Sequence, residues 1–221
     1  MDSAPVQAVL FDLDGTLFDT DDVWLNEVLS RLGGTQRFRR PARVLMAWGE
    51  RTGSQLLAWL DQMDLDDDVD RLVTRLTAWR HQRKTRVYRL VTGVTEMLEG
   101  LTTSYSLAVV TSRSRRQAHR MLTGTELLPL FCAIATRNDT RRIKPHPEPV
   151  KHAAGLLGVS PAACLMVGDT TADVLSAKAA GAQAVGVLCG FGREADLRRA
   201  GADLIVPSTA DLGALLRCAG G

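Results

Sequence analysis

Two carboxylates follow directly on a mostly apolar run near the start of the chain. The run from Val6 to Phe11 is typical of a short buried strand, and Asp12 and Asp14 come next, before Gly15. Side chains alternate along an extended chain, so these two carboxylates are expected to point the same way. Like charges so close together require a proton or a cation between them. Oxygen ligands with room for water suit Mg2+, although an isolated Asp-x-Asp before glycine is more often a plain turn.

Hydroxyl side chains end a second apolar run. Thr111 and Ser112 follow Leu107-Ala108-Val109-Val110. A hydroxyl and the backbone amides beside it can donate hydrogen bonds to a phosphate oxygen, although Ser and Thr also commonly cap helices. The neighbouring arginines are expected to form the solvated start of the following helix, with Arg113 within reach of a substrate; they are Arg113, Arg115 and Arg116.

A lysine and two further acids complete the set of candidate residues. Lys144 lies in Lys-Pro-His-Pro, a stiff loop that would hold the positive charge of the lysine beside clustered carboxylates. The simple alternative is an exposed loop lysine. Asp169 follows a third apolar run and is expected to project towards the first two acids. Asp173 lies in the first turn of the next helix, where Thr170-x-x-Asp173 also resembles a capping box.

The elements that must position these residues alternate between strand and helix. Such alternation predicts an α/β fold with a doubly wound, mainly parallel sheet, covered on both faces and including the first strand. The carboxyl ends of its strands would bring the polar residues together. The predicted strands are Leu107 to Val110, Ala133 to Ala135, Cys164 to Val167, Ala184 to Val187 and Leu204 to Val206; the predicted helices include Arg115 to Thr123, Glu148 to Leu157 and Ala172 to Ala180.

A helical block interrupts this alternation after the first strand. Residues 21–88 have apolar positions at helical spacing and no convincing strand, so they are predicted to form an inserted helical cap. The core domain then comprises residues 1–20 and 89–221. Two linkers, near residues 18–22 and 88–93, connect the parts, as a hinged lid would require.

Composition argues against several other classes of function. The chain has 221 residues, 45% hydrophobic and 24% charged, which suffices for one full domain and a smaller one. A net charge of +2 gives no electrostatic footprint for nucleic acid or a membrane surface. The four cysteines are widely spaced, and neither a signal sequence nor a membrane span of about 20 apolar residues is expected. The cytoplasm is the expected compartment, and the oligomeric state is left open.

Taken together, the candidate residues resemble the motifs of the haloacid dehalogenase-like hydrolases, phosphatases that pass through an aspartyl-phosphate. The resemblance covers essentially the whole chain and is greatest to the phosphoglycolate phosphatase-like branch. It implies a Rossmann-like core with a small inserted cap. The matching stretches occur in the family's order: Asp12 to Thr20, then Thr111, then Lys144 with its Pro-x-Pro, then Gly168-Asp169 with Asp173.

This resemblance also implies a role for each residue. Asp12 would be the carboxylate nucleophile, and Asp14 would protonate the leaving alcohol and then deprotonate water. Mg2+ would be held by Asp12, the Asp14 main-chain carbonyl and Asp169. The remaining roles are phosphate binding by Thr111, Lys144 and Ser112, and support of these groups by Thr16 and Asp173.

The resemblance narrows the substrate without deciding it. Asp14 favours phosphate monoesters, because dehalogenating members lack an acid there. Sugar phosphomutases have a histidine where this chain has Trp24, which favours water as the acceptor. Arg51, in the cap, is either a ligand for a substrate carboxylate or second phosphate, or an ordinary surface arginine. The expected function is Mg2+-dependent hydrolysis of a small phosphorylated metabolite such as phosphoglycolate. A phosphomutase and a non-catalytic phosphate-binding regulatory module are the alternatives.

Overall fold

A computed structural model of the chain describes residues 5–19 and 88–219. The chain divides into two compact units, Met1–Asn26 with Tyr88–Gly221, and Glu27–Val87. The helical cap predicted for residues 21–88 falls almost wholly outside the described residues, as do Trp24 and Arg51. The cap and its boundaries therefore stay predictions.

Six short apolar runs form the strands of one sheet. Every neighbouring pair is parallel, and the strand order is β3-β2-β1-β4-β5-β6. The order reverses between β1 and β4, which is the arrangement of a doubly wound Rossmann-like fold. The predicted α/β sheet is confirmed, with each strand after the first within one residue of its predicted bounds. The strands are β1 Ala8–Phe11, β2 Ser106–Val110, β3 Ala133–Ala135, β4 Cys164–Gly168, β5 Gln183–Val187 and β6 Leu204–Val206.

Helices cover both faces of this sheet. The three helices named from the sequence, α2 to α4, lie within one residue of their predicted bounds. The helices of the described residues are α1 Val94–Leu101, α2 Arg115–Gly124, α3 Glu148–Leu157, α4 Thr171–Ala180, α5 Glu194–Ala200 and α6 Leu212–Ala219, with single 3-10 turns at Leu128–Leu130, Pro161–Ala163 and Thr209–Asp211. No described helix combines the length and apolar character that spanning a bilayer would require.

The central strand β1 is buried on both faces. Val9 and Phe11 pack in one apolar cluster with residues of α1, α2 and α6, whereas Ala8 and Leu10 pack in a second cluster with residues of α3, α4 and α5. All four side chains are fully buried. Because neither face of the strand meets water, polar residues are accommodated only beyond its end, which is where Asp12 lies.

The chain segments on either side of the undescribed stretch lie next to each other. Asp19 donates its backbone N–H to the carbonyl of Arg89 at 2.9 Å, and Val91 donates to the carbonyl of Leu17 at 3.0 Å. The rings of Phe18 and Tyr88 meet edge to face, with centroids 6.0 Å apart. The chain thus leaves the described core and re-enters it at neighbouring positions.

Candidate active site

The register of the sheet gathers residues from three strands at one edge. Phe11 of β1 pairs with Val109 of β2 and with Val167 of β4, so the residues that follow these strands lie side by side. Asp12 donates its backbone N–H to the carbonyl of Val167 at 3.0 Å. Asp12, Thr111 and Asp169 therefore meet at the carboxyl edge, where the strand order reverses. This is the position at which doubly wound folds bind their ligands.

Lys144 is buried between two of the acids. Its Nζ donates to Asp12 Oδ1 at 2.7 Å, to Asp173 Oδ1 at 2.6 Å and to the carbonyl oxygen of Val110 at 2.9 Å. An ammonium group has three hydrogens, and each has an acceptor here. Only 7% of the residue is exposed. The reading of Lys144 as an exposed loop lysine is therefore wrong.

Asp173 both caps a helix and binds the buried lysine. Its Oδ2 accepts hydrogen bonds from the backbone N–H and the hydroxyl of Thr170, at 3.0 and 2.7 Å, and so closes the capping box at the start of α4. Its Oδ1 accepts from Lys144. The capping box expected from the sequence is therefore present, and it fixes the carboxylate that in turn contacts the lysine.

Asp169 is fully buried and held by two donors. The Thr16 hydroxyl donates to its Oδ1 at 3.3 Å, and the backbone N–H of Phe191 donates to its Oδ2 at 2.8 Å. Thr16 was expected to support the residues predicted to bind the metal, and its hydroxyl contacts Asp169, one of those residues. Phe191 was not foreseen as a partner, because a backbone N–H is present in every non-proline residue and gives no signal in the sequence.

Four glycines pack directly against Asp169 and Asp173. A Cβ on Gly15, Gly190 or Gly192 would overlap atoms of Asp169, and a Cβ on Gly168 would overlap the Asp173 side chain. Gly15 also has φ +73°, a conformation that side chains disfavour. Gly190 and Gly192 flank Phe191, so the loop can bring its backbone N–H to the carboxylate only because both neighbours lack side chains. The two flanking glycines are the sequence feature that could have indicated this contact, since the Phe191 backbone N–H itself gives no signal.

Asp14 has an arginine as its countercharge. Arg113 Nε donates to Asp14 Oδ2 at 2.5 Å, and Nη2 donates to Oδ1 at 2.7 Å. This hydrogen bonding raises the pKa of Arg113 above its ordinary value. The expectation of a merely solvated helix start is wrong for Arg113, although Arg115 and Arg116 are exposed. The sequence signal was an arginine two residues after a strand-end threonine, which by itself is weak.

The two hydroxyls after β2 differ in exposure. Thr111 is buried, and its Oγ1 accepts a hydrogen bond from the backbone N–H of Arg113 at 3.1 Å. An oxygen that accepts this bond keeps its own hydrogen for donation to another group. Ser112 is exposed. Arg51, the remaining candidate, lies outside the described part of the chain.

The sequence of residues 9–187 matches the haloacid dehalogenase-like hydrolase family. The chain belongs to this family. The match extends over most of the chain and includes the strands after which Asp12, Thr111 and Asp169 lie. The resemblance inferred from the motifs is thereby confirmed.

Individual members of the haloacid dehalogenase-like family are similar over nearly their whole length. Pyrophosphatase PpaX of Bacillus pumilus is 29% identical over 218 residues, which cover 98% of this chain and 99% of that protein. A hydrolase of the family from Deinococcus radiodurans, solved with bound phosphate and sodium, is 28% identical, with a TM-score of 0.71 and coverage of 99% and 98%. A Thermotoga maritima protein suggested to be a beta-phosphoglucomutase is 25% identical, with a TM-score of 0.72 and coverage of 96% and 99%. The present chain is a hydrolase of the phosphatase class.

Burial and mutual repulsion raise the pKa of two carboxyl groups at this site, Asp12 and Asp169. Burial raises the pKa of Asp12 from its ordinary value of 3.8 to about 7, against the lowering effect of Lys144. Burial, followed by the charges of Asp173 and Asp12, raises the pKa of Asp169 well above its ordinary value. Burial by itself would lower the pKa of Lys144, but Asp12 and Asp173 raise it above the ordinary value, so the ammonium stays charged.

The chemistry of these groups fits a divalent cation, which enzymes of this family generally use. Asp12, Asp169 and Asp173 each offer one oxygen, and these atoms lie within 4.8 Å of one another. Three carboxylates face the single ammonium of Lys144, so full ionisation leaves two negative charges uncompensated. A hard divalent ion bound by carboxylate oxygens would balance them. The Asp14 side chain lies outside this group and is neutralised by Arg113.

Proposed function

We propose that this hydrolase is a Mg2+-dependent phosphatase that cleaves a small phosphorylated metabolite through a covalent aspartyl-phosphate on Asp12. The observation that supports this most strongly is the buried Lys144 ammonium, bound to both Asp12 and Asp173, with Asp169 next to them. A lysine so placed orients one carboxylate oxygen and keeps a fixed positive charge where a phosphate dianion would arrive.

The first step is attack by Asp12 on phosphorus. Lys144 holds Oδ1, which leaves Oδ2 as the attacking oxygen. A bond forms between this oxygen and phosphorus while the bond to the leaving oxygen breaks, and Asp14 gives a proton to the leaving group. The Thr111 hydroxyl binds another phosphate oxygen, with Ser112 at the exposed side of the same loop. The three hydrogens of Lys144 are already accepted by Asp12, Asp173 and the Val110 carbonyl, so Lys144 acts on the phosphoryl group through its positive charge.

The second step releases phosphate. Asp14, now ionised, takes a proton from water; the water oxygen attacks the phosphoryl group, and the bond between phosphorus and Asp12 breaks. Asp12, Asp169 and the Asp14 main-chain carbonyl would hold Mg2+, with Thr16 and Asp173 keeping the site in place. The chemistry that Mg2+ supplies when bound is neutralisation of charge on the carboxylates and on the transferring phosphoryl group.

The substrate is proposed at the level of a chemical class. Phosphoglycolate is one candidate, from the sequence resemblance, and pyrophosphate is another, from the likeness to PpaX of Bacillus pumilus. A phosphomutase is the second candidate function, favoured by the likeness to the Thermotoga maritima protein. Trp24, which argues against it, lies outside the described residues. A cytoplasmic location and a small-molecule partner belong to the same proposal.

A screen of phosphorylated compounds tests this function. Initial rates of phosphate release would be measured on phosphoglycolate, sugar phosphates, nucleotides, pyrophosphate and p-nitrophenyl phosphate, with Mg2+ or with excess EDTA. We expect activity only with Mg2+, and a mass increase of one phosphoryl group on a peptide containing Asp12 after rapid acid quenching. A phosphomutase would instead convert a sugar phosphate into its isomer faster than it releases phosphate.

Asp12→Asn is the decisive variant, because it removes the nucleophile and keeps the volume. We expect it to abolish turnover and labelling. Asp196→Asn is the matched control, since Asp196 pairs with Arg199 on the surface of α5. Undiminished activity in EDTA, or an Asp12→Asn protein as fast as Asp196→Asn, would exclude the mechanism.

A further inference from the structure

The ion pair between Arg113 and Asp14 joins two loops that are far apart in sequence. Nε and Nη2 of the guanidinium reach the two carboxylate oxygens at 2.5 and 2.7 Å. Such a two-point contact fixes the plane of a carboxylate as well as its distance, which a single lysine contact cannot do. The side chains are 32% and 27% exposed, so the pair lies at the open side of the site.

Arg113 is itself held in place by its backbone. Its N–H donates to the Thr111 hydroxyl oxygen at 3.1 Å, and its carbonyl accepts from the backbone N–H of Arg137 at 3.2 Å. Ser114, the next residue, is the N-cap of α2. The arginine therefore projects from a fixed point of the loop that follows β2, next to the hydroxyl proposed to bind phosphate.

Asp14, by contrast, lies in a turn after the end of β1. The turn is closed by backbone bonds from Leu17 and Phe18 to the carbonyl of Leu13. These bonds fix the backbone but not the direction of the Asp14 carboxylate. The direction comes from the guanidinium, which engages both of its oxygens.

We propose that Arg113 is a positioning residue that directs the Asp14 carboxyl group at the leaving-group oxygen. The two-point contact belongs to ionised Asp14; when Asp14 carries the proton, one contact with the guanidinium remains and the other oxygen bears the proton. The inference rests on the proposed function, in which Asp14 exchanges a proton with the leaving group and with water. Arg113 acts through Asp14 and does not itself bind the reacting phosphoryl group. Its contribution therefore appears where proton transfer to the leaving group matters most, which is in esters of weakly acidic alcohols and phenols.

A comparison of two aryl phosphates isolates this contribution. Phenolate is a poorer leaving group than p-nitrophenolate and depends more on protonation. We expect Arg113→Met, which keeps an apolar stem, to lower kcat on phenyl phosphate by roughly 10- to 100-fold, the cost of a misplaced catalytic group. The loss on p-nitrophenyl phosphate should be clearly smaller, and KM and inhibition by inorganic phosphate should be unchanged. Arg113→Lys should recover part of the lost rate.

Arg116→Met is the matched control. Arg116 belongs to the same short run of arginines at the start of α2 and is exposed. Its replacement should leave both rates as in the unmodified enzyme. Equal thermal melting temperatures for the Arg113 and Arg116 variants would show that any difference in rate is not a difference in folding.

A double-mutant cycle with Asp14→Asn gives the second readout. If Arg113 acts only through Asp14, Arg113→Met will cause no further loss of kcat on phenyl phosphate once Asp14 is replaced. The proposal is overturned by additive losses, by equal losses on the two esters accompanied by weaker inhibition by phosphate, or by an Arg113→Met enzyme indistinguishable from Arg116→Met. Failure of the proposed function looks different, because Asp12→Asn would then keep its activity whatever the Arg113 variants do.

Discussion

At the scale of single residues, Lys144 provides a buried positive charge at the centre of the candidate active site. It is the cation that contacts Asp12 and Asp173 directly, and it is almost completely buried. A buried ion pair adds little net stability compared with an apolar replacement of the whole group, but removal of one partner leaves an uncompensated buried charge. Lys144 is therefore expected to matter for both folding and turnover.

Replacement of Lys144 by methionine tests this expectation. We expect the free energy of unfolding to fall by about 3–5 kcal/mol in urea denaturation, the cost of breaking a buried pair. We expect kcat to fall by about 10²–10³-fold, the cost of removing one group that stabilises developing charge.

The control for this prediction is Lys178→Met. Lys178 pairs with Asp203, but the two side chains are 39% and 46% exposed. Exposed pairs contribute about 0–1 kcal/mol, so this variant should be nearly as stable and as active as the unmodified enzyme. Similar losses in the two lysine variants would contradict the role assigned to Lys144.

At the scale of elements, the loop that follows β5 completes the surroundings of Asp169. Gly190 and Gly192 allow the backbone N–H of Phe191 to donate to Asp169 Oδ2 at 2.8 Å. Asp169 directly follows β4, and its carboxylate accepts a hydrogen bond from the loop after β5. The conformation of this loop therefore affects the position of the carboxylate. A side chain in the loop would change the site without changing any charged residue.

Gly190→Ala is the corresponding prediction. The added Cβ would overlap Asp169 Oδ2 and the carbonyl oxygen of Gly15, so the carboxylate must move. We expect a higher Mg2+ concentration for half-maximal activity and a lower kcat, measured by titration of activity with Mg2+.

Gly155→Ala provides the control for the added methyl group. Gly155 lies in α3, and a Cβ there would meet no atom within 4 Å. Alanine is favoured over glycine in a helix by roughly 0.5–1 kcal/mol, so this variant should be slightly more stable and equally active. A Gly190→Ala enzyme with normal Mg2+ dependence would show that the loop does not position Asp169.

At the scale of the whole molecule, folding buries several carboxyl groups next to each other, where their negative charges repel. The parallel sheet brings the ends of β1 and β4 together, and with them Asp12 and Asp169. Burial raises the pKa of Asp12 from 3.8 to about 7. A carboxyl group whose pKa is higher in the folded protein than in the unfolded chain favours folding at low pH, and this contribution is lost as the pH rises through the folded value.

The stability of the metal-free protein should therefore decrease between about pH 4 and pH 7 on account of Asp12. A cation that binds only the folded, ionised site restores stability at high pH. We expect the increase in melting temperature on adding Mg2+, relative to EDTA, to be larger at pH 8 than at pH 5. The difference between the two pH values should shrink in Asp12→Asn. An equal increase at both pH values would contradict this linkage.

Local patterns in the sequence were sufficient to predict the sheet and the edge on which the site lies. The strands β2 to β6 are apolar runs bounded by polar residues, and buried parallel strands require this composition whatever their order. The Thr170-x-x-Asp173 pattern likewise predicted the helix cap, because capping involves residues three apart in the chain. The capping box at α4 is confirmed.

By itself, the sequence determined that two acids follow one strand, that a third follows another, and that a lysine lies in a rigid loop. Only the tertiary structure decided that Lys144 is buried between Asp12 and Asp173, that Arg113 binds Asp14 across 99 residues, and that the backbone of Phe191 holds Asp169. The physical reason is that strand composition and helix capping depend on neighbours in the chain. Which charges face each other depends instead on strand order, which brings together residues as far apart in the chain as Asp12 and Lys144, 132 positions from each other.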